Sequence, residues 1–172
     1  MSSRLGWFVL GVVGTLVALF VGGYLFIRSG GVSMETTAPM LPLEATVAKM
    51  ALRASIGDAA DLKNPLPLND ANMLAGARDF KEHCAFCHGL PGQPRPDAAA
   101  GMFPPPPQFF EHKGMVTRDP EGVTHWKVTH GIRLSGMPGF EKTLSDTERW
   151  QITMMVAHAD KLSPAVQAAL RP

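Results

Sequence analysis

Two cysteines three positions apart, Cys84 and Cys87, are followed at once by His88, and no other cysteine occurs among the 172 residues. On one helical turn, two thiols at this spacing can form thioethers with the two vinyl groups of a haem. The next residue then stands where a proximal iron ligand must be. A bare C-x-x-C would also suit a redox dithiol or half of a zinc site. The chain has no second cysteine pair for zinc, and the neighbouring sequence does not alternate strand and helix as a thioredoxin-like unit does. His88 decides between them: the motif predicts one covalently attached haem c.

A haem held by His88 alone would bind outside ligands, so the sixth position matters. Met137 is the leading candidate. It lies in Ser135-Gly136-Met137-Pro138-Gly139, where the glycines permit close backbone approach to a flat cofactor and Pro138 stiffens the loop. Met102 precedes a run of prolines and Met115 sits in a polar loop. His125 and His130 belong to a predicted helix, in whose last turn the helix dipole accounts for His130. His83, His112 and His158 read as surface histidines.

The elements that must position these residues are helical. Asn69, Asp70 and Asn72 offer caps for a helix through Met73, Ala77 and Phe80 that leads into Cys84. Asp119-Pro120-Glu121 opens a second helix and Gly131 ends it. Ser145 with Glu148 is a capping box for a third, along which Ile152, Met155, Val156 and Ala159 keep the 3.6-residue period until Pro164. No segment reads as a strand, so the fold class is all-α. From residue 70 onward 11 Lys and Arg face 11 Asp and Glu, a neutral balance that argues against nucleic acid as a partner. The ten methionines are ordinary gap-fillers for such a core.

Upstream, residues 5–27 carry no charge and would span roughly 35 Å as a helix, enough to cross a bilayer with some tilt. The run exceeds the apolar core of a cleaved signal, typically about 7–15 residues, and Ile-Arg-Ser-Gly-Gly after it is a poor cleavage site. A retained single-pass anchor is therefore predicted, contacting the lipid bilayer. Gly14, Ala18 and Gly22 form a small-residue stripe along it that would allow close helix packing against another subunit. Arg4 and Arg28 flank the span evenly, so charge does not orient it. The site of haem attachment, on the outer face of a bacterial inner membrane, places the rest of the chain in the periplasm.

Residues 28–68 read as a connector. It carries four prolines and one helix whose apolar positions Leu43, Val47, Met50, Ala51 and Ala54 end at Gly57. That face would meet the membrane, a partner or the haem domain. Residues 69–162 are the predicted haem domain and 163–172 a C-terminal tail.

With His88 and Met137 in place, residues 70–162 resemble a class I cytochrome c. The likeness rests on Cys84-Ala85-Phe86-Cys87-His88-Gly89, His130-Gly131-Ile132-Arg133, Gly136-Met137-Pro138-Gly139-Phe140 and Leu144-Ser145-Asp146. It does not cover the anchor or the connector. The resemblance implies that a carbonyl among Pro104–Pro107, with Pro105 the choice, accepts a hydrogen bond from the proximal histidine. It also implies Trp126 and Arg133 at the haem propionates, and Gly76 and Phe80 against Trp150 where the first and last helices cross. The expected function is one-electron transfer as a subunit of, or tethered carrier for, a respiratory or photosynthetic membrane redox complex, or with other electron-transfer proteins. A ligand sensor or peroxidase-like centre with a labile sixth ligand is the alternative.

Overall fold

The computed structural model describes residues 3–111 and 118–171. These are helical, with no strand among them. Contacts divide the chain into residues 1–42 and 43–172. The first unit holds α1 (Ser3–Arg28), whose length and apolar composition would let it cross a membrane and whose side chains are all exposed. A signal sequence near an N-terminus meets the same criteria.

The second unit contains α2 (Glu44–Ile56), a short 3-10 turn (Gly57–Asp61), α3 (Asp70–His83), α4 (Ala85–His88), α5 (Asp97–Ala100), α6 (Glu121–His130), α7 (Asp146–Ala157) and α8 (Pro164–Ala169). Local chemistry sets these boundaries. The Asn69 side chain accepts from the Asn72 N–H and starts α3. Gly131, at φ 69°, takes the left-handed turn that ends α6. Ser145 and Glu148 form both halves of the capping box of α7.

The core is the crossing of α3 with α7, joined by α6 and α8. Phe80, Ala77, Ile152, Met155 and Val156 are buried there. Gly76 brings the two backbones together, since a Cβ on it would overlap the Gln151 carbonyl. The expected partner was Trp150. Instead the Trp150 ring stacks on His125, 3.8 Å between centroids, while Phe80 meets Phe109, Phe110 and His88.

Two boundaries differ from those expected. The predicted tail carries α8, with Pro164 in its first turn, Ser163 as its cap, and Val166 and Leu170 fully buried. Pro164 starts a helix as well as following one. Leu170→Ala should therefore cost about 2–5 kcal/mol of stability, read from chemical denaturation, as for other buried leucines. The connector is likewise part of the second unit from Leu43 onward. The Ala59 and Ala60 carbonyls lie over Gly122 of α6, and Asn64 Nδ2 donates to the Trp150 carbonyl at 3.1 Å. The inward face of α2 is Leu52 and Ile56, rather than Leu43, Val47 and Met50.

His125 is buried, with Nε2 3.2 Å from Asp146 Oδ1, which also accepts from Arg149 at 3.0 Å. Burial lowers the His125 pKa below 6.5, against the opposing pull of Asp146. The folded state then binds that proton less readily than the unfolded chain. Its contribution to stability falls as pH drops from about 6.5 through the folded-state value. His125→Gln should flatten the loss of stability between neutral and mildly acidic pH, measured by denaturation of both proteins side by side.

Candidate haem site

The Cys84–His88 turn is set by the end of α3. Cys84 N–H donates to the Phe80 carbonyl at 2.8 Å, and the Cys84 carbonyl accepts from His88 N–H at 2.9 Å. This close coil holds Cys84, Cys87 and His88 within little more than one helical turn, and Cys84 and His88 reach a cavity of about 240 Å³. Cys84, His88 and Met137 line it together with Phe80, Val128, Ile132, Ile152 and Val156. Both cysteines are free of disulfides. Burial, with the nearby Asp79 and Cys87, pushes the pKa of the free Cys84 thiol up to about 12.

His88 is the most closely braced of these residues. Its Nδ1–H donates to the Pro107 carbonyl at 2.9 Å, which leaves Nε2 as the nitrogen able to bind iron. The carbonyl is that of Pro107, two residues beyond Pro105. Phe109 stacks on the imidazole at 4.5 Å with 10° between planes. Gln108 Nε2 donates to the Cys87 and Pro106 carbonyls at 3.0 and 3.1 Å, tying this segment to the C-x-x-C-H turn. Burial lowers the His88 pKa and the Pro107 bond opposes that shift, so the ring is neutral, as a ligand must be.

Met137 reaches the same cavity from a distant part of the sequence because its loop is clipped to the end of α6. Ile132 N–H donates to the Met137 carbonyl at 3.1 Å, and Met137 N–H donates to Ser135 Oγ at 3.2 Å. Phe140 and Glu141 N–H donate to the Val128 and Thr129 carbonyls at 3.0 and 3.1 Å. Gly131 and Gly139 allow this approach: a Cβ on Gly139 would sit 2.6 Å from the His130 carbonyl carbon. Thus the Gly-Met-Pro-Gly segment predicted as a fixed loop is fixed by backbone hydrogen bonds.

Trp126 and Arg133 do not line the cavity. The Trp126 ring tilts against His130 at 5.0 Å, and Arg133 is exposed. The charged groups on the cavity wall are Lys127 and Asp119, paired at 3.3 Å. The sequence carried a signal for Lys127, which falls one turn from Thr124 and beside Val128 on the inward face of α6. Phe109 and Gln108 had none, because a loop after four prolines has no period to read. Among the rivals for the iron, His125 is committed to Trp150 and Asp146, and His158 Nδ1 lies 2.8 Å from the Met154 carbonyl. His83 is half-buried against Phe140. His112 and Met115 fall outside the described residues.

Thiols, a neutral imidazole and a thioether sulfur around an apolar cavity are the donor set and the surroundings that a haem requires. Residues 71–154, just under half the chain, match the family described as Cytochrome C oxidase, cbb3-type, subunit III. These residues form a cytochrome c domain. The match implies covalently bound haem c. No curated protein gives a significant match. Among solved structures, the reducing HAO-like protein complex of Kuenenia stuttgartiensis is similar. That match has 27% identity and a TM-score of 0.45, and covers 57% of this chain and 49% of that one. The chain therefore spans about half the length of that structure.

Proposed function

We propose that the protein is a one-electron carrier whose haem would be attached through Cys84 and Cys87 and held at the iron by His88 and Met137. The observation that carries this reading is that His88 and Met137 line one apolar cavity, each held by hydrogen bonds to or from the backbone. When bound there, the haem supplies a metal that gains and loses a single electron. The chain does the rest. Pro107 fixes the His88 tautomer, and the Ile132 and Ser135 contacts fix the backbone that carries the sulfur of Met137. The apolar walls limit water, so little need reorganise as charge changes. Were His88 and Met137 both to hold the iron, substrate would find no open position on it, which favours a carrier over an enzyme.

α1 is read as a retained single-pass anchor in a bacterial inner membrane, with the haem domain in the periplasm. The protein then acts as a subunit of, or tethered carrier for, a respiratory or photosynthetic redox complex. Phe86 and Leu134, 77% and 87% exposed beside the two ligand-bearing segments, offer apolar contact for such a partner. Redox titration of the full-length protein under carbon monoxide tests the carrier reading. A reversible one-electron transition that carbon monoxide leaves unshifted is expected. Tight binding of the gas to the reduced protein would establish a sensor-like or peroxidase-like centre instead.

A further inference from the structure

α2 has two apolar faces pointing in opposite directions. At 100° per residue, Ala45, Leu52 and Ile56 fall within about 40° of one another. They are the inward residues, with Ala45 half-buried, Ile56 buried and Leu52 on the wall of the haem cavity. Val47, Met50 and Ala54 fall within about 60° on the other side, and Leu43 precedes them as the N-cap of the helix. Leu43, Val47 and Met50 are 73%, 60% and 65% exposed. A helix that served only to close the cavity would carry polar residues there.

We propose that this outward face lies in the membrane interface, so that α2 seats the haem domain on the lipid surface. The proposal rests on reading α1 as a retained span. Fifteen residues, 29–43, separate Arg28 from Glu44. As a coil they would reach only about 20 Å on average. So short a tether keeps α2 at the bilayer at high effective concentration, where modest interfacial affinity is enough. Lys49 and Arg53 lie together on one flank between the two faces, and both are exposed. Their long stems can follow the apolar face down while their charges meet anionic headgroups. An apolar stripe flanked by basic residues suits lipid better than a protein groove, which would need matching acidic groups. Leu52 on the cavity wall makes the same helix a direct link between the lipid surface and the haem pocket.

Site-directed spin labelling of the full-length, haem-loaded protein tests this. The protein would be reduced and placed in nanodiscs of phosphatidylcholine and phosphatidylglycerol. With Cys84 and Cys87 in thioethers, Met50→Cys supplies a single labelling site. Ala168→Cys, exposed on α8, reports on a water-facing position, and Leu16→Cys reports on the span. The Met50 label should be severalfold more accessible to oxygen, and less to a water-soluble nickel chelate, than the Ala168 label. Adding Val47→Asp should reverse that preference while leaving the haem spectrum unchanged. A Met50 label in water while the Leu16 label is in lipid would overturn the proposal and leave the anchor standing. A Leu16 label in water would overturn both. A Met50 label shielded from both probes would show a protein surface or a second copy over the face, and would overturn the proposal too.

Discussion

Met137→Ala should leave haem attached but lower its potential on the order of 0.1–0.2 V, a fraction of the roughly 0.8 V that axial ligation spans. The sulfur is a soft ligand that favours ferrous iron, and alanine offers nothing in its place. The variant should also admit carbon monoxide, because among the described residues lining the cavity His88 and Met137 are the only histidine and methionine. His125 is stacked on Trp150, and Met102 lies against the Gly136 side of the loop. The cavity itself should persist. The clips from Ile132, Phe140 and Glu141 are made by backbone atoms that the substitution does not touch. Spectroelectrochemistry with and without the gas measures both effects. An unchanged potential would mean that Met137 is not the ligand.

Gly76→Val should have the largest effect on stability. The obstruction it meets is the Gln151 carbonyl and the Ile152 N–H group, backbone that cannot rotate aside as a side chain would. Overpacking usually costs about 1–3 kcal/mol, and a clash with a helix backbone belongs at or above the top of that range. The crossing of α3 and α7 also orients Phe80 and the Cys84 turn. The variant should therefore lose thermal stability and accumulate with less haem than the native protein. Gly101→Ala is the control, since its added Cβ would come no nearer than 3.9 Å to anything. Equal melting temperatures for the Gly76 variant and the native protein would show that the helices do not need this close approach.

The difference between these two sites explains what the sequence could convey. Covalent attachment, caps and helix ends are written in adjacent residues, so Cys84 to His88, Ser145 with Glu148, and Gly131 were legible directly. The all-α class followed from them. The Met137 loop was legible because glycine and proline mark a fixed backbone, although its hydrogen bonds to α6 were not. Contacts that depend on helix phase were harder to read. Gly76 was identified as the crossing point, but that its closest approach is to the Gln151 backbone could not be read from sequence. Pro107 could not be told from Pro105, since four consecutive prolines offer chemically equal carbonyls. Trp126 and Arg133 came by analogy alone, and the cavity wall uses Lys127 and Asp119. The residues read as tail lack periodicity, and the period read along the connector picked out the exposed face of α2. Only packing shows Val166, Leu170 and Ile56 to be core.

The central claim is a haem held between His88 and Met137, and near-infrared magnetic circular dichroism of the oxidised full-length protein tests it most directly. The position of its charge-transfer band distinguishes histidine with methionine from two histidines or from histidine with water. The account predicts a histidine–methionine band in the native protein that disappears in Met137→Ala. A bis-histidine or histidine–water band in the native protein would contradict it.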